Sequence, residues 1–257
     1  MNHEVRFRSS LMIMGLDGWV NAGEVSTMSI SYLIRKLGAK EFGEIKPDGF
    51  YDYQISRPFA SIETGVIRDY YKPRNIFYRC ESEGLERVIL LFKGIEPHMC
   101  WSKYVEEILK FSKESGIKCI YTLGGYITDS LYYRDHISGS TNNPERIEEF
   151  KRCRVELTNY RGPTSIYSEI SWESKKDGID TVSLWAATPA SIRGPNPTAA
   201  LNLLEALLCL TYLEVDLNEM RREARSFTAQ IVKEVEEESK LKGLTGDWYS
   251  SESSWDV

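Results

Sequence analysis

Four apolar runs of strand length, residues 11–14, 88–92, 117–123 and 182–185, constrain the fold of this chain more than any other feature. Continuous apolar runs of this kind mark strands covered on both faces. The first, second and fourth each lead through a glycine- or proline-rich turn into a segment of helical period. Strands that alternate with helices need crossover connections, so the four runs are expected side by side in one mostly parallel or mixed sheet. Residues 88–123 form a strand–helix–strand unit of βαβ length, with a right-handed crossover by the general rule. The fold class is therefore α/β.

The fourth run opens residues 181–213, in which a buried strand, a turn holding Pro189, Gly194, Pro195 and Pro197, and a strongly apolar helix follow one another. Asn196 or Thr198 is placed to cap that helix, and Pro197 suits its first turn. In an open α/β sheet, the loops leaving the carboxyl ends of strands are where ligands bind. The plainer reading is a tight connection that the prolines stiffen. The first run leads into the glycine-rich turn 15–23 and a helix at about 24–37. With no GxGxxG and no GxxxxGK[ST], phosphate binding there would rest on backbone amides alone.

Elsewhere the period is less decisive. A second strand is expected at 42–45. Residues 48–58 alternate aromatic and polar, and read as a surface-lying segment or as a platform for a ligand or partner, with Phe50, Tyr51 and Tyr53 as its large side chains. Residues 66–78, broken by Pro73, suit a β-hairpin flanking the main sheet. Gly124 and Gly125 end the third apolar strand. Residues 128–144 read as a long loop with a short strand at Ile137, and 143–152 as a charged surface helix. A short strand is expected at 155–157, and 165–175 fits helix or strand equally.

A second long helix is expected over 216–241 with Asp216 as its cap. Its stripe of Leu217, Met220, Ala224, Phe227, Ile231 and Val235 either packs on its own domain or forms a seam between subunits. Residues 1–242 are expected to form a single α/β domain. Residues 243–257 read as a flexible, serine-rich tail carrying Trp248, Tyr249 and Trp255.

The formal charge of −6 argues against a generic nucleic-acid binder, which needs a basic surface. The amino-terminal stretch does not read as a signal peptide, and no apolar run reaches membrane length. The five cysteines are odd in number and include no CxxC. Cys119 and Cys209 sit in apolar runs and read as core thiols, which points to a reducing compartment, the cytoplasm.

No HExxH and no Cys/His cluster is present, so neither a metal nor a cofactor is expected. His98 and Cys100 are two residues apart and point away from each other on a helix, which argues against a nucleophile–base pair. Asp17, Glu96 and Asp129 each follow an apolar strand closely and could converge as acid, base or metal ligands. With Gly18, Asn21, Gly124, Gly125, Pro189 and Asn196 they define a candidate cleft. Strand-end carboxylates are equally ordinary loop caps.

Seven short motifs, in order, add a resemblance. They are Gly18-Trp19-Val20-Asn21-Ala22-Gly23, Phe50-Tyr51-Asp52-Tyr53 with Arg57-Pro58, Gly94-Ile95-Glu96-Pro97 with Trp101, Thr122-Leu123-Gly124-Gly125, Gly162-Pro163-Thr164, Ser183-Leu184-Trp185-Ala186-Ala187 and Pro195-Asn196-Pro197. Together they resemble the proteasome-assembly-chaperone family, some of whose prokaryotic members carry an ATP-grasp label; no ATP-grasp phosphate loop supports that label here. The resemblance implies a three-layer α/β/α sandwich of the phosphorylase/hydrolase-like type, usually homo-oligomeric, and eukaryotic members help assemble the proteasome core. Members that dock on proteasomes end in hydrophobic–Tyr–any, whereas this sequence ends Trp255-Asp256-Val257.

Two functions follow as expectations. One is a non-catalytic, chaperone-like protein that contacts itself and proteasome core subunits or another protein complex. The other is an orphan enzyme or small-ligand binder, for an anion or nucleotide, at the strand-end cleft. Interaction candidates are Phe50, Tyr51, Tyr53, Met220, Phe227, Ile231, Trp248, Tyr249 and Trp255.

Overall fold

The computed structural model describes residues 9–80, 87–129 and 136–249, with side chains described as far as residue 233 and at residue 237. Strand β1 (Leu11–Asp17) leads through a 3-10 turn (Ala22–Glu24) into helix α1 (Val25–Lys36). Strands β2 (Lys40–Ile45), β3 (Phe59–Glu63), β4 (Val66–Tyr71), β5 (Asn75–Arg79) and β6 (Ile89–Ile95) follow, then helix α2 (Trp101–Glu114). The chain continues through β7 (Cys119–Thr128), β8 (Ile137–Thr141), α3 (Ile147–Arg152), β9 (Val155–Leu157) and α4 (Ile166–Ser174). It closes with β10 (Asp180–Pro189), α5 (Pro197–Thr211) and α6 (Asn218–Tyr249).

Eight strands form one mixed sheet in the order β2-β5-β6-β1-β7-β10-β8-β9. The four apolar runs are its centre: β6, β1, β7 and β10 are consecutive neighbours, all parallel. Leu11 sits beside both Ile89 and Cys119, so the three strands start level. Antiparallel strands extend the sheet on either side, β5 beside β6 and β8 beside β10.

The alternation of side chains along β1 splits the core in two. Leu11 and Ile13 join a cluster completed by α1 and α5, with Leu217 and Met220 at the start of α6. Met12, Met14 and Leu16 join a second cluster with α2 and α4. Helices on both faces of a sheet with doubly buried central strands make a three-layer α/β/α sandwich.

Several local expectations change. The hairpin is β3–β4, one strand earlier than the sequence suggests. Thr64 and Gly65 both take positive φ and close a two-residue turn of the kind that matches strand twist. Pro73 then separates the hairpin from β5, which joins the main sheet. Residues 137–141 form a full strand, and residues 166–174 are helical, with the Ser165 side chain capping. Arg146, at the mouth of the expected surface helix, is buried and donates to Asp180 at 2.8 Å.

Helix α6 begins two residues after Asp216, whose Oδ1 accepts from the Asn218 amide. It runs through Lys242 to Tyr249, so no break in the helix marks the start of the expected tail. Residues 250–257, including Trp255, lie outside the described residues. Cys209 is not a free core thiol: it forms a disulfide with Cys153 and ties α5 to the end of α3. A pairing across 56 positions leaves no local trace in the sequence. Among the described residues, no helix is long and apolar enough to cross a membrane.

Candidate functional site

Parallel strands place like ends together, and the carboxyl ends of β1, β6, β7 and β10 bring their turns to one edge of the sheet. The joint there is built on close backbone approach. Asn21 forms an isolated parallel bridge to Gly125, and the Gly125 amide donates to Val20 O at 2.7 Å. A Cβ on Gly125 would stand 2.3 Å from Ala22 O, so only glycine fits. Gly124 meets the Trp185 ring in the same way, at 2.4 Å. These two glycines do not end β7, which continues to Thr128. They thin the strand so that the first loop and the Trp185 ring can lie on it.

The loop after β1 is held by its own polar groups. Asp17 Oδ1 accepts from the Gly18 amide at 2.8 Å and from Asn21 Nδ2 at 2.9 Å. Asn21 Oδ1 accepts from the Thr27 amide at 3.0 Å, which fastens the loop to α1. The loop after β10 docks on it. Asn196 caps α5 by accepting from the Ala199 amide, and its own amide donates to Gly23 O at 2.8 Å. Pro189 is the last residue of β10.

Glu96 is the buried carboxylate of this edge. Its amide donates to Asp17 O at 2.8 Å, and its Oε1 accepts from the Ile166 amide at 2.9 Å. The side chain thus fixes the start of α4 to the turns after β1 and β6. Burial raises its pKa, opposed by backbone hydrogen bonds from Ile166 and Trp19. Asp129 is exposed at the end of β7. Asp17, Glu96 and Asp129, offered by the sequence either as a converging set or as loop caps, do not form a metal-binding group: no cluster of three or more His, Cys, Asp or Glu suited to a metal exists among the described residues. The amides of Gly18, Trp19, Asn21 and Glu24, on and just after this turn, donate within the protein.

The aromatic platform is core. Phe50 and Tyr51 are buried, and Tyr53 is half-buried. Phe50 packs edge-on against Tyr104 at 5.2 Å. The Tyr51 hydroxyl lies 2.7 Å from both Asn75 Oδ1 and Ile95 O, and burial pushes its pKa up to about 12. His98 binds this segment down, Nδ1 accepting from the Asp52 amide at 3.0 Å. With Nδ1 as acceptor, the neutral ring carries its proton on Nε2. Met220 is buried in the domain, Phe227 and Ile231 are half-buried, and Trp248 and Tyr249 end α6 with side chains outside the described residues.

Two buried polar hubs have no local signature in the sequence. Asn75 Oδ1 gathers Tyr51, Tyr104 and the Ile95 amide. The Tyr167 hydroxyl accepts from the Leu16 amide and donates to Leu123 O, both at 3.0 Å. A pocket lies at the opposite edge of the sheet, near Leu11, Cys119, Tyr121 and Arg146, away from these loops. Large apolar side chains that reach solvent include Trp19, Met99, Tyr126 and Ile127 at the carboxyl edge, a group on the β3–β4 hairpin, and, elsewhere, Phe42, Ile55, Leu157, Tyr160, Trp172 and Val232.

These features define an α/β/α sandwich whose strand-end turns are cross-braced by internal hydrogen bonds. The model of the PAC2 family matches residues 15–235, and the chain belongs to that family. A PAC2 family protein from Streptomyces avermitilis is 29% identical with a TM-score of 0.80, covering 88% of this chain and 95% of that one. The Mycobacterium tuberculosis proteasome-assembly chaperone homologue Rv2125 is 26% identical with a TM-score of 0.79, covering 87% and 94%. The uncharacterized protein MJ1210 of Methanocaldococcus jannaschii is 24% identical over 90% of this chain and 85% of its own.

Proposed function

We propose that this protein is a non-catalytic assembly factor of the proteasome-assembly-chaperone kind, working through protein–protein contacts and as a homo-oligomer. The observation that carries the reading is the family match over residues 15–235. The likeness to a Mycobacterium tuberculosis protein described as a proteasome-assembly chaperone homologue supports it. The strand-end edge supports it as well. Glu96 and Asp17, the carboxylates best placed for chemistry, are hydrogen-bonded to backbone amides that fix loops. A general acid or base needs a free approach to substrate.

The partner class is proteasome core subunits before they join a particle. A cytoplasmic location accompanies that partner; the cysteine count no longer argues for it, since Cys209 is paired. Residues 1–242 act as one domain in this reading. The test is titration of the purified protein against unassembled proteasome core subunits from the same source, followed by calorimetry. Saturable binding with a defined stoichiometry is expected. Absence of binding at protein concentrations well above those of a specific complex would overturn the partner.

A further inference from the structure

We propose that the cavity at the amino-terminal ends of the central strands is a binding site for a small zwitterion, an α-amino acid with an apolar side chain. The cavity lies at the opposite end of the sheet from the strand-end turns. The site therefore goes beyond the assembly reading and stands or falls separately from it.

The cavity has a volume of about 230 Å³. That is the space of about eight waters at the roughly 30 Å³ each takes in the liquid, the size of a leucine molecule. Its floor is the start of two neighbouring parallel strands, with Leu11 on β1 and Cys119 and Tyr121 on β7. Helix α3 forms one wall, and the end of α5, from Leu210 to Tyr212, forms another. The Cys153–Cys209 disulfide ties these two walls together, immediately after Arg152 and immediately before Leu210. A site whose walls are already fixed loses less freedom when it binds.

Arg146 is the polar anchor. It lines the cavity and is only 5% exposed. Its Nε donates to Asp180 Oδ2 at 2.8 Å, and its Nη1 donates to Glu149 Oε2 at 3.2 Å and to the Tyr121 hydroxyl at 3.4 Å. Nη2 donates to no described residue, yet it is not sealed away from solvent. A guanidinium is a planar fork that matches a carboxylate, and the protein uses only part of this one. The remaining N–H groups are offered to whatever fills the cavity.

The charges around the cavity select the class of occupant. Arg87, Arg146 and Arg152 line it together with Glu145, Glu148 and Glu149, so the lining charges cancel. A carboxylate alone would meet Arg146 but also Glu149, which pairs with the same guanidinium. An ammonium alone would meet the glutamates but also three guanidinium groups. A molecule that carries both charges sets each against its opposite, the complementarity from which specificity comes. Its hydrocarbon part has Leu11 and Leu210 to pack on, both buried. Small-molecule sites combine apolar walls with a few placed polar groups in this way.

The test is isothermal titration calorimetry on the full chain with L-leucine, glycine, isocaproate (leucine without its ammonium) and isoamylamine (leucine without its carboxylate). L-leucine is expected to bind at one site, and each analogue at least about tenfold more weakly. Arg146→Lys keeps a charge beside Asp180 but loses the fork, and should weaken L-leucine binding by about tenfold or more. Glu145→Lys, at an exposed position on the rim, unbalances the lining charge and should weaken binding by a similar factor, with circular dichroism matching the wild type. If Arg146→Lys does not fold, Glu145→Lys decides the location alone. No binding of L-leucine, any analogue that binds as tightly as L-leucine, or a folded variant that binds L-leucine as well as the wild type would each overturn the site. L-leucine binding by a protein that has no effect on proteasome core subunits would keep the site and remove the assembly function. An effect on those subunits without L-leucine binding would do the reverse.

Discussion

Glu96 Oε1 accepts a hydrogen bond from the backbone amide of Ile166, 70 positions along the chain, at 2.9 Å. The residue that sequence reading offers as an acid or base is a brace that seats α4 against the strand-end turns.

The brace has a pH signature. The folded-state pKa of Glu96 is raised above its ordinary value, so between those two values the native state holds more proton than the unfolded chain. Stability contributed through Glu96 is therefore largest at low pH and falls as pH rises through that window. Glu96→Gln keeps an acceptor for the Ile166 amide and should flatten this dependence in urea titrations at several pH values. Glu96→Ala leaves that amide without its partner and should cost about 1–3 kcal/mol.

Gly125 tests the joint between β7 and the first loop. Gly125→Ala puts a methyl group 2.3 Å from Ala22 O, where backbone and not a flexible side chain must move. A loss of about 1–3 kcal/mol is expected by thermal or chemical unfolding. Gly125→Ala with unchanged stability would mean that the loop does not lie on the strand.

The fold was legible because its centre is written locally. Residues 11–14, 88–92, 117–123 and 182–185 are largely apolar on both faces and are followed by turns and helices, a pattern that adjacent, covered, parallel strands satisfy. What was not legible depends on distant partners. Phe50 and Tyr51 alternate with polar residues as a surface segment would, yet Tyr104 and Asn75 bury them from elsewhere in the chain. Gly124 and Gly125 look like chain breakers, but the Trp185 ring and the Ala22 carbonyl impose glycine inside a strand. Parallel strands put the turns after β1, β6, β7 and β10 at one edge; their cross-bracing is visible only in the hydrogen bonds between them.

The burial of Phe50 carries its own expectation. Phe50→Ala should cost about 3–5 kcal/mol of stability, as removal of a core aromatic does. Any loss of association in that variant should track unfolding, not precede it, when light scattering and tryptophan fluorescence are followed together.

The Cys153–Cys209 disulfide closes a loop across 56 positions. The chain-entropy model assigns such a loop about 4 kcal/mol. Urea midpoints with and without reductant should differ in the corresponding direction, and Cys209→Ala should remove the difference.

The central claim is that this protein promotes assembly by contact and not by catalysis. It is tested most directly by the rate at which purified proteasome core subunits from the same source form particles, followed on native gels with and without this chain. The account predicts faster or more complete assembly at stoichiometric amounts, retained by Glu96→Gln. An unchanged assembly time course in the presence of the folded wild-type protein would contradict it.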